Sequence, residues 1–187
     1  MEVRIFNNAD EIAVACADIF TDLLVSKPAC VLGLATGASP VKTYNELIKR
    51  HKNGEISFKD VKTFNLDEYC NLPRDDKNSY YTFMHENLFN SVDVKEENVH
   101  ILDGNAEDAD AEAKAFDETI EKAGGIDIQL LGIGTNGHIG FNEPDDHFPA
   151  TTHETKLVEM TREANKRFFA SIDDVPTAAY TMGIGTV

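Results

Sequence analysis

The chain has 187 residues, of which 42% are apolar and 27% are charged, so it can bury one globular core and is too short to require two. Its 17 basic and 33 acidic residues give a formal net charge of -16, which opposes binding to nucleic acid and to anionic membrane surfaces. We therefore expect a single domain over residues 1–187, in which an anionic substrate would need a local site of backbone amides and a few cations.

The cysteines and the N-terminal segment predict a cytoplasmic location. Cys16, Cys30 and Cys70 form an odd, sparse set without CxxC spacing, which argues against a disulfide framework and against a zinc knuckle. Residues 1–11 lack the basic segment and the apolar stretch of a signal peptide. No run approaches the ~20 apolar residues of a membrane span.

Short β-branched runs alternate with longer helical patterns along the chain. In the first half we predict strands and helices in turn over residues 3–6, 9–24, 30–35, 40–51, 61–66 and 79–89. In the second half we predict strands over residues 99–102, 126–133 and 178–184, and helices over residues 109–123 and 162–170. The order indicates an α/β fold, with a doubly wound, mainly parallel, Rossmann-like sheet covered by helices on both faces.

The first candidate site is the small-residue turn LATGASP at residues 34–40, which joins a predicted strand to a predicted helix. Its backbone N–H groups and hydroxyls can face an anion, and the dipole of the following helix favours negative charge there. The alternative is an ordinary turn in which Ser39 caps the helix. The turn fits neither GxGxxG nor GxxxxGK[ST], so nucleotide binding is weakly supported.

The second candidate is the acidic pair Asp67 and Glu68, at the end of the predicted strand 61–66. Ligands of open α/β sheets bind beyond the carboxyl ends of the strands. Adjacent residues of an extended chain point to opposite faces, so one carboxylate can readily face a pocket. We expect Asp67 to be a general base, and the alternative is that both residues are solvated loop acids.

The third candidate is LGIGTNGHIGFNEP, at residues 131–144. Four glycines in this segment indicate tight backbone turns around polar side chains; the polar residues are Asn136, His138, Asn142 and Glu143. His138, with a carboxylate five positions later, suits a proton-transfer group oriented by an acid. Metal binding is the alternative, but neither HxxxH nor HxH spacing is present, so no metal is expected.

Four segments of the chain together resemble the glucosamine-6-phosphate deaminases, and the similarity extends from the first predicted strand to the last residue. The segments are TFNLDEY, GIGTNGHIGFNEP, LATGASP and TREANKRFF. The sister sugar-phosphate lactonases share a GH pair but usually continue as GHTASLFP, whereas this chain has GHIGFNEP. The resemblance implies conversion of glucosamine 6-phosphate and water to fructose 6-phosphate and ammonium, without metal or cofactor.

The resemblance also implies roles for individual residues. The expected phosphate site consists of Thr36, Gly37, Ala38, Ser39 and Arg167, the last through a forked, charge-assisted contact. The expected catalytic residues are Asp67, which moves a proton between C2 and C1 of the open-chain sugar, His138, which opens the pyranose ring, and Asn136 and Glu143, which orient it.

Two departures from the family pattern qualify the resemblance. Many members carry Asp at the position of Asn136, and a neutral amide cannot stabilise an imidazolium as a carboxylate would. Family domains continue with a further strand, helix and strand that supply a phosphate-binding lysine, so we expect this chain to be truncated at its C-terminus. The alternatives are a non-catalytic sugar-phosphate-binding paralogue and a 6-phosphogluconolactonase-like hydrolase, and the sequence is compatible with a homo-oligomer.

Overall fold

The computed structural model describes residues 1–134 and 136–187. Within these residues the α-helices are α1 (Ala9–Ser26), α2 (Val41–Lys52), α3 (Tyr80–Asn87), α4 (Ala109–Lys122) and α5 (Glu159–Asn165). The strands are β1 (Val31–Leu34), β2 (Lys62–Asn65), β3 (Asp67–Tyr69), β4 (Val99–His100), β5 (Ile128–Gln129), β6 (His153–Lys156) and β7 (Ala178–Thr181).

Four strands form a parallel sheet in the order β4-β2-β1-β5. The two central strands are in register from Val31 opposite Lys62 to Leu34 opposite Asn65. Their carboxyl ends therefore lie side by side, and the segments that follow them leave the sheet at the same edge.

Helices cover both faces of this sheet, as the order of the predicted strands and helices indicated. On one face, Phe20 of α1, Leu47 of α2 and Met84 of α3 belong to the same buried cluster as Leu32 and Leu34. On the other face, α4 packs its apolar side onto β2, where the ring of Phe116 meets Phe64 edge to face at 5.6 Å. The predicted doubly wound α/β architecture is confirmed.

A second, antiparallel sheet in the order β3-β7-β6 extends the fold beyond β2. β7 occupies the first part of the last predicted strand, but it pairs here instead of joining the parallel sheet. Asp67 lies opposite Thr181, and Thr181 also lies opposite His153. β6 was not predicted, because its sequence HETK is polar and only half-buried.

Two predicted strands differ from the structure. Residues 3–6 form no strand, since within the described chain no segment pairs with them, and Val3 and Ile5 are 70% and 92% exposed. The predicted strand at 126–133 is shortened in the structure to β5, which pairs with β1 along one side and is half-buried.

The predicted helix 162–170 becomes α5 followed by a 3-10 turn at Lys166–Phe168. None of the helices in the described part of the chain is long and apolar enough to cross a membrane.

Candidate active site

The turn after β1 has the geometry of an anion site. Gly37 has a φ of +97°, a conformation that favours glycine. The helix cap is Pro40, and within the described residues no side chain accepts from the first turn of α2. Ser39 is therefore not the cap, and the N–H groups of this turn stay available. The buried Tyr44 hydroxyl holds the start of the turn by donating to the Ala35 carbonyl at 2.5 Å.

Asp67 is a buried carboxylate in a largely apolar setting. Its side chain is 7% exposed, and Oδ1 has no hydrogen-bond partner among the described residues. Burial, with the charge of Glu68 as a second cause, raises the pKa of Asp67 to about 8. Near neutral pH this carboxyl can therefore both hold and release a proton, as a proton-transfer group must.

Glu68 is also buried, but its oxygens are occupied. Oε1 accepts the N–H groups of Tyr69 and Tyr80 at 2.8 and 2.9 Å, and Oε2 accepts the N–H of Tyr81 at 2.9 Å. Burial raises the pKa of Glu68, and these three N–H groups oppose that rise. The alternative that both residues are solvated loop acids is wrong, and Asp67 is the carboxylate left open for chemistry.

The polar residues of the third segment form a relay. The Asn136 amide donates to Glu143 Oε2 at 2.7 Å, and its Oδ1 lies 2.7 Å from His138 Nδ1. An ionised carboxylate accepts only, so the amide nitrogen must face Glu143 and the amide oxygen must face His138. That oxygen also accepts only, so Nδ1 carries a proton and Nε2 is the nitrogen left for a substrate. Residue 135 lies outside the described residues.

The glycines of this segment serve close packing, as the sequence predicted. A Cβ atom on Gly134 would overlap the imidazole of His138, and one on Gly140 would lie 2.6 Å from the Thr181 hydroxyl. Gly140 also has a φ of +59°. The loop is held to β7 because the Phe141 N–H donates to Thr181 Oγ1 at 3.1 Å. Thr181 in turn pairs with Asp67 across the second sheet.

Three supporting residues were missed by the sequence analysis. The Thr161 hydroxyl donates to Glu143 Oε1, and Thr181 joins the loop to the strand of Asp67. Tyr80 is half-buried with its ring 4.7 Å from that of Tyr69. The sequence carries no signal for these roles, because each depends on a contact between segments distant along the chain.

Arg167 is exposed in the 3-10 turn after α5, and its guanidinium lies 4.7 Å from the ring centre of Phe168. Within the described residues, Arg167 makes no hydrogen bond or ion pair with the turn at residues 36–39. Two positions later, Phe169 packs edge to face on Tyr69 at 5.9 Å. Arg167 therefore lies on a segment anchored to the strand of Asp67, with its guanidinium exposed.

No group of three or more potential metal ligands gathers within residues 1–134 and 136–187. The described site instead consists of an unpartnered buried carboxylate, a histidine relay and a strand-to-helix turn. Together they define a Rossmann-like α/β protein with a buried carboxylate, an oriented histidine and an open turn near the carboxyl ends of its strands.

Comparison with known proteins is consistent with this class. The family model for glucosamine-6-phosphate isomerases/6-phosphogluconolactonase matches residues 7–168. Glucosamine-6-phosphate deaminase of Lysinibacillus sphaericus is 54% identical over 97% of this chain and 76% of its own length. The enzyme of that name from Thermoanaerobacter pseudethanolicus is 51% identical over 100% of this chain and 74% of its own.

Comparison with solved structures leads to the same family. A monomeric glucosamine-6-phosphate deaminase superposes with a TM-score of 0.96 at 46% identity, covering 100% of this chain and 77% of that one. The 6-phosphogluconolactonase of Thermotoga maritima gives a TM-score of 0.71 at 19% identity over 97% and 75%, a likeness of fold alone. The chain belongs to the glucosamine-6-phosphate isomerase/6-phosphogluconolactonase family.

The raised pKa of Asp67 leads to a prediction about stability. The folded chain holds this proton more strongly than an unfolded chain, whose aspartate has the ordinary pKa of 3.8, so Asp67 lowers stability progressively as pH rises from about 4 to about 8. Asp67→Asn should raise the free energy of unfolding, by on the order of a few kcal/mol above pH 8 and by nothing near pH 4. Urea denaturation across this range measures the difference.

Asp127 is the matched control, because its pKa is lowered, chiefly by a hydrogen bond from Lys27. Its contribution is present at neutral pH and is lost as pH falls through the lowered pKa, so Asp127→Asn should destabilise at pH 7 and have no effect in strong acid. The same pH dependence for both variants would contradict the assignment of Asp67 as a desolvated acid.

Proposed function

We infer that this chain converts glucosamine 6-phosphate and water into fructose 6-phosphate and ammonium. The observation that carries the inference is the joining of two acid–base groups by one strand: β7 pairs with Asp67 and also holds the loop of His138 through Thr181. Aldose–ketose isomerisation with deamination requires both ring opening and proton transfer between adjacent carbons. The deaminases at 54% and 51% identity support the same reaction.

We propose that the phosphate binds at the turn formed by Thr36, Gly37, Ala38 and Ser39. The positive φ of Gly37 and the open first turn of α2 support this role, because free N–H groups at a helix start attract anions. In a chain of net charge -16, such a local field is needed to overcome repulsion. Arg167 would close over the phosphate as a mobile cation.

His138 is proposed to open the sugar ring. His138 Nδ1 donates to the Asn136 amide oxygen, which leaves Nε2 to take the proton of the C1 hydroxyl and pass it to the ring oxygen. Glu143 holds the Asn136 amide in place, since it accepts from that amide and from the Thr161 hydroxyl. The amide orients the imidazole, and Glu143 Oε2 itself lies 3.7 Å from Nδ1.

Asp67 is proposed to move the proton from C2 to C1, through an enolamine that becomes a C2 iminium, to which water adds before ammonia leaves and the ketone forms. A base must be ionised, but without bound substrate Asp67 holds its proton up to about pH 8. The ammonium group at C2 of the substrate brings a positive charge to this site, which favours the ionised carboxylate. Substrate binding would thus activate its own base.

We also propose the cytoplasm as the site of this reaction. All three cysteines, Cys16, Cys30 and Cys70, are free, as is usual in a reducing compartment.

A lactonase reaction and a non-catalytic binding role are less well supported. The lactonase structures share the fold at 19% identity or close to it, whereas the FNEP continuation places Glu143 in contact with Asn136. A protein that merely binds sugar phosphate needs neither an unpartnered buried carboxylate nor an oriented histidine.

The reaction itself is the first test. The purified chain should release ammonium and form fructose 6-phosphate in equal amounts from glucosamine 6-phosphate. Asp67→Asn keeps the shape but cannot accept a proton, so it should bind substrate while losing nearly all turnover and C2 hydrogen exchange with solvent. Rapid C2 exchange in Asp67→Asn would remove this residue from the role of base.

The relay gives a second test with a neighbouring control. Gly134→Ala should displace the His138 ring and lower kcat roughly a hundredfold, the size of loss expected for a misplacement of about 1 Å. A Cβ atom on Gly132 would meet nothing within 4 Å, so Gly132→Ala should keep the wild-type rate. Equal effects of the two substitutions would show that the position of His138 does not limit the reaction.

The third test concerns Arg167. Arg167→Ala should raise KM for the phosphorylated substrate roughly ten- to a hundredfold, as the loss of a charge-assisted contact implies. The adjacent cation Lys166 lies 3.7 Å from Glu163 and serves as the control. Lys166→Ala should leave KM nearly unchanged. A KM that responds to neither substitution would place the phosphate elsewhere.

A further inference from the structure

Glu68 lies beside the proposed base but is already fully engaged with the backbone. We propose that Glu68 is a positioning residue that joins β3 to the start of α3 beside Asp67, and that its buried carboxylate also acts electrostatically on Asp67. The proposal rests on the proposed function only for its kinetic consequences. The contacts themselves are present in the free protein.

The carboxylate of Glu68 closes the start of α3. It is 4% exposed and accepts the N–H groups of the first two residues of that helix, Tyr80 and Tyr81, as well as that of Tyr69 in its own strand. A carboxylate can accept at both oxygens, whereas an amide accepts at one and donates at the other. This site therefore selects Glu over Gln, and the helix dipole favours the negative charge.

The first residue of α3 transmits this restraint to the rest of the site. The ring of Tyr80 packs on Tyr69 at 4.7 Å and stacks with Phe141 of the histidine loop at 6.2 Å. Burial raises the pKa of Tyr80 well above its usual range. Moving the start of α3 would consequently disturb the strand of Asp67 and the histidine loop together.

Glu68 is also the charged group that acts on Asp67. The other titratable groups around Asp67 are Tyr44 from α2, Tyr69 from β3 and Tyr80 from α3. All three phenols are neutral near pH 7, because burial raises the pKa of each; that of Tyr69 rises to about 12. Within the described residues, no cation contributes to the pKa of Asp67.

Arg74 acts on Glu68, whereas within the described residues it is not among the groups that act on Asp67. It favours the ionised form of Glu68, and its guanidinium lies 4.1 Å from the ring centre of Tyr81 at the start of α3. Arg74 and the three N–H groups therefore oppose the effect of burial at Glu68, whereas burial and Glu68 both favour the protonated form of Asp67. Two adjacent carboxyl groups thus have different environments and different roles.

The test compares Glu68→Gln with Glu68→Asp, and Asp93→Asn is the control. Glu68→Gln removes the charge and one accepting oxygen, so the acidic limb of the kcat/KM profile should move about one pH unit lower, and kcat/KM at its optimum should fall about tenfold. Glu68→Asp keeps the charge but shortens the reach to α3, so KM should rise while the acidic limb stays in place. This pair separates charge from positioning.

Asp93 provides the matched control. Its two oxygens accept the Phe58 N–H at 2.6 Å and the Ser57 hydroxyl at 2.7 Å, near the start of β2 and away from Asp67. Asp93→Asn loses a bond of the same kind and should lower stability without moving the pH profile. Equal shifts in Glu68→Gln and Asp93→Asn would reduce Glu68 to a general structural role and overturn the proposal.

A measurement on the free protein distinguishes this proposal from the reaction. Carboxyl carbon NMR of the wild type and of Glu68→Gln should show Asp67 titrating about one unit lower in the variant. A lower titration with no ammonium release by the wild type would reject the reaction and retain the coupling. An unchanged titration in a folded Glu68→Gln would reject the coupling. If Glu68→Gln fails to fold, an unchanged Asp67 titration and a raised KM in Glu68→Asp support the proposal, and an unchanged KM contradicts it.

Discussion

The hydrogen bond from the Phe141 N–H to the Thr181 hydroxyl joins the two halves of the site. Thr181 is fully buried, and its backbone pairs with Asp67 on one side and with His153 on the other. Without this bond the glycine-rich loop has few other attachments to the sheet; a second is the Asn142 amide, which donates to the Met182 carbonyl at 2.8 Å. Both attachments use β7 or the residue directly after it, so the relation between the histidine and the carboxylate depends on one segment.

The two sheets position different parts of the candidate site. The parallel sheet brings the ends of β1 and β2 to one edge and supplies the turn before α2. The antiparallel sheet carries Asp67 and Glu68 in β3 and holds the histidine loop through Thr181 of β7. A buried carboxylate without partners costs stability, and Asp67 carries such a cost, whereas the adjacent Glu68 is satisfied by three backbone N–H groups.

The parts of the fold that the sequence predicts well are those with a purely local cause. The run at 30–35 is continuous and apolar because β1 is covered on both faces, and the density of glycine at 131–144 reflects close approach of backbone and side chain, as Gly134 and His138 confirm. The strands that the sequence predicts wrongly or misses have a nonlocal cause. Residues 3–6 have strand-like composition but no pairing partner in the described chain, and β6 has a partner but no apolar alternation.

The same distinction applies to the site. Position at a strand end was enough to single out Asp67 over Glu68, but the reason that Glu68 is unavailable lies in the N–H groups of Tyr80 and Tyr81, 12 and 13 positions later. The contact of Thr161 with Glu143 spans 18 positions and has no local signature.

The amide of Asn136 has a consequence for the chemical lifetime of the protein. Asn followed by Gly is the pair most exposed to spontaneous deamidation, in which the backbone nitrogen of the glycine attacks the side-chain carbonyl. Here both reactants are engaged: the amide is held between Glu143 and His138, and the Gly137 N–H donates to the Gly134 carbonyl at 2.9 Å. These hydrogen bonds oppose that attack in the folded chain, so the amide between Glu143 and His138 should persist longer there than in the unfolded chain.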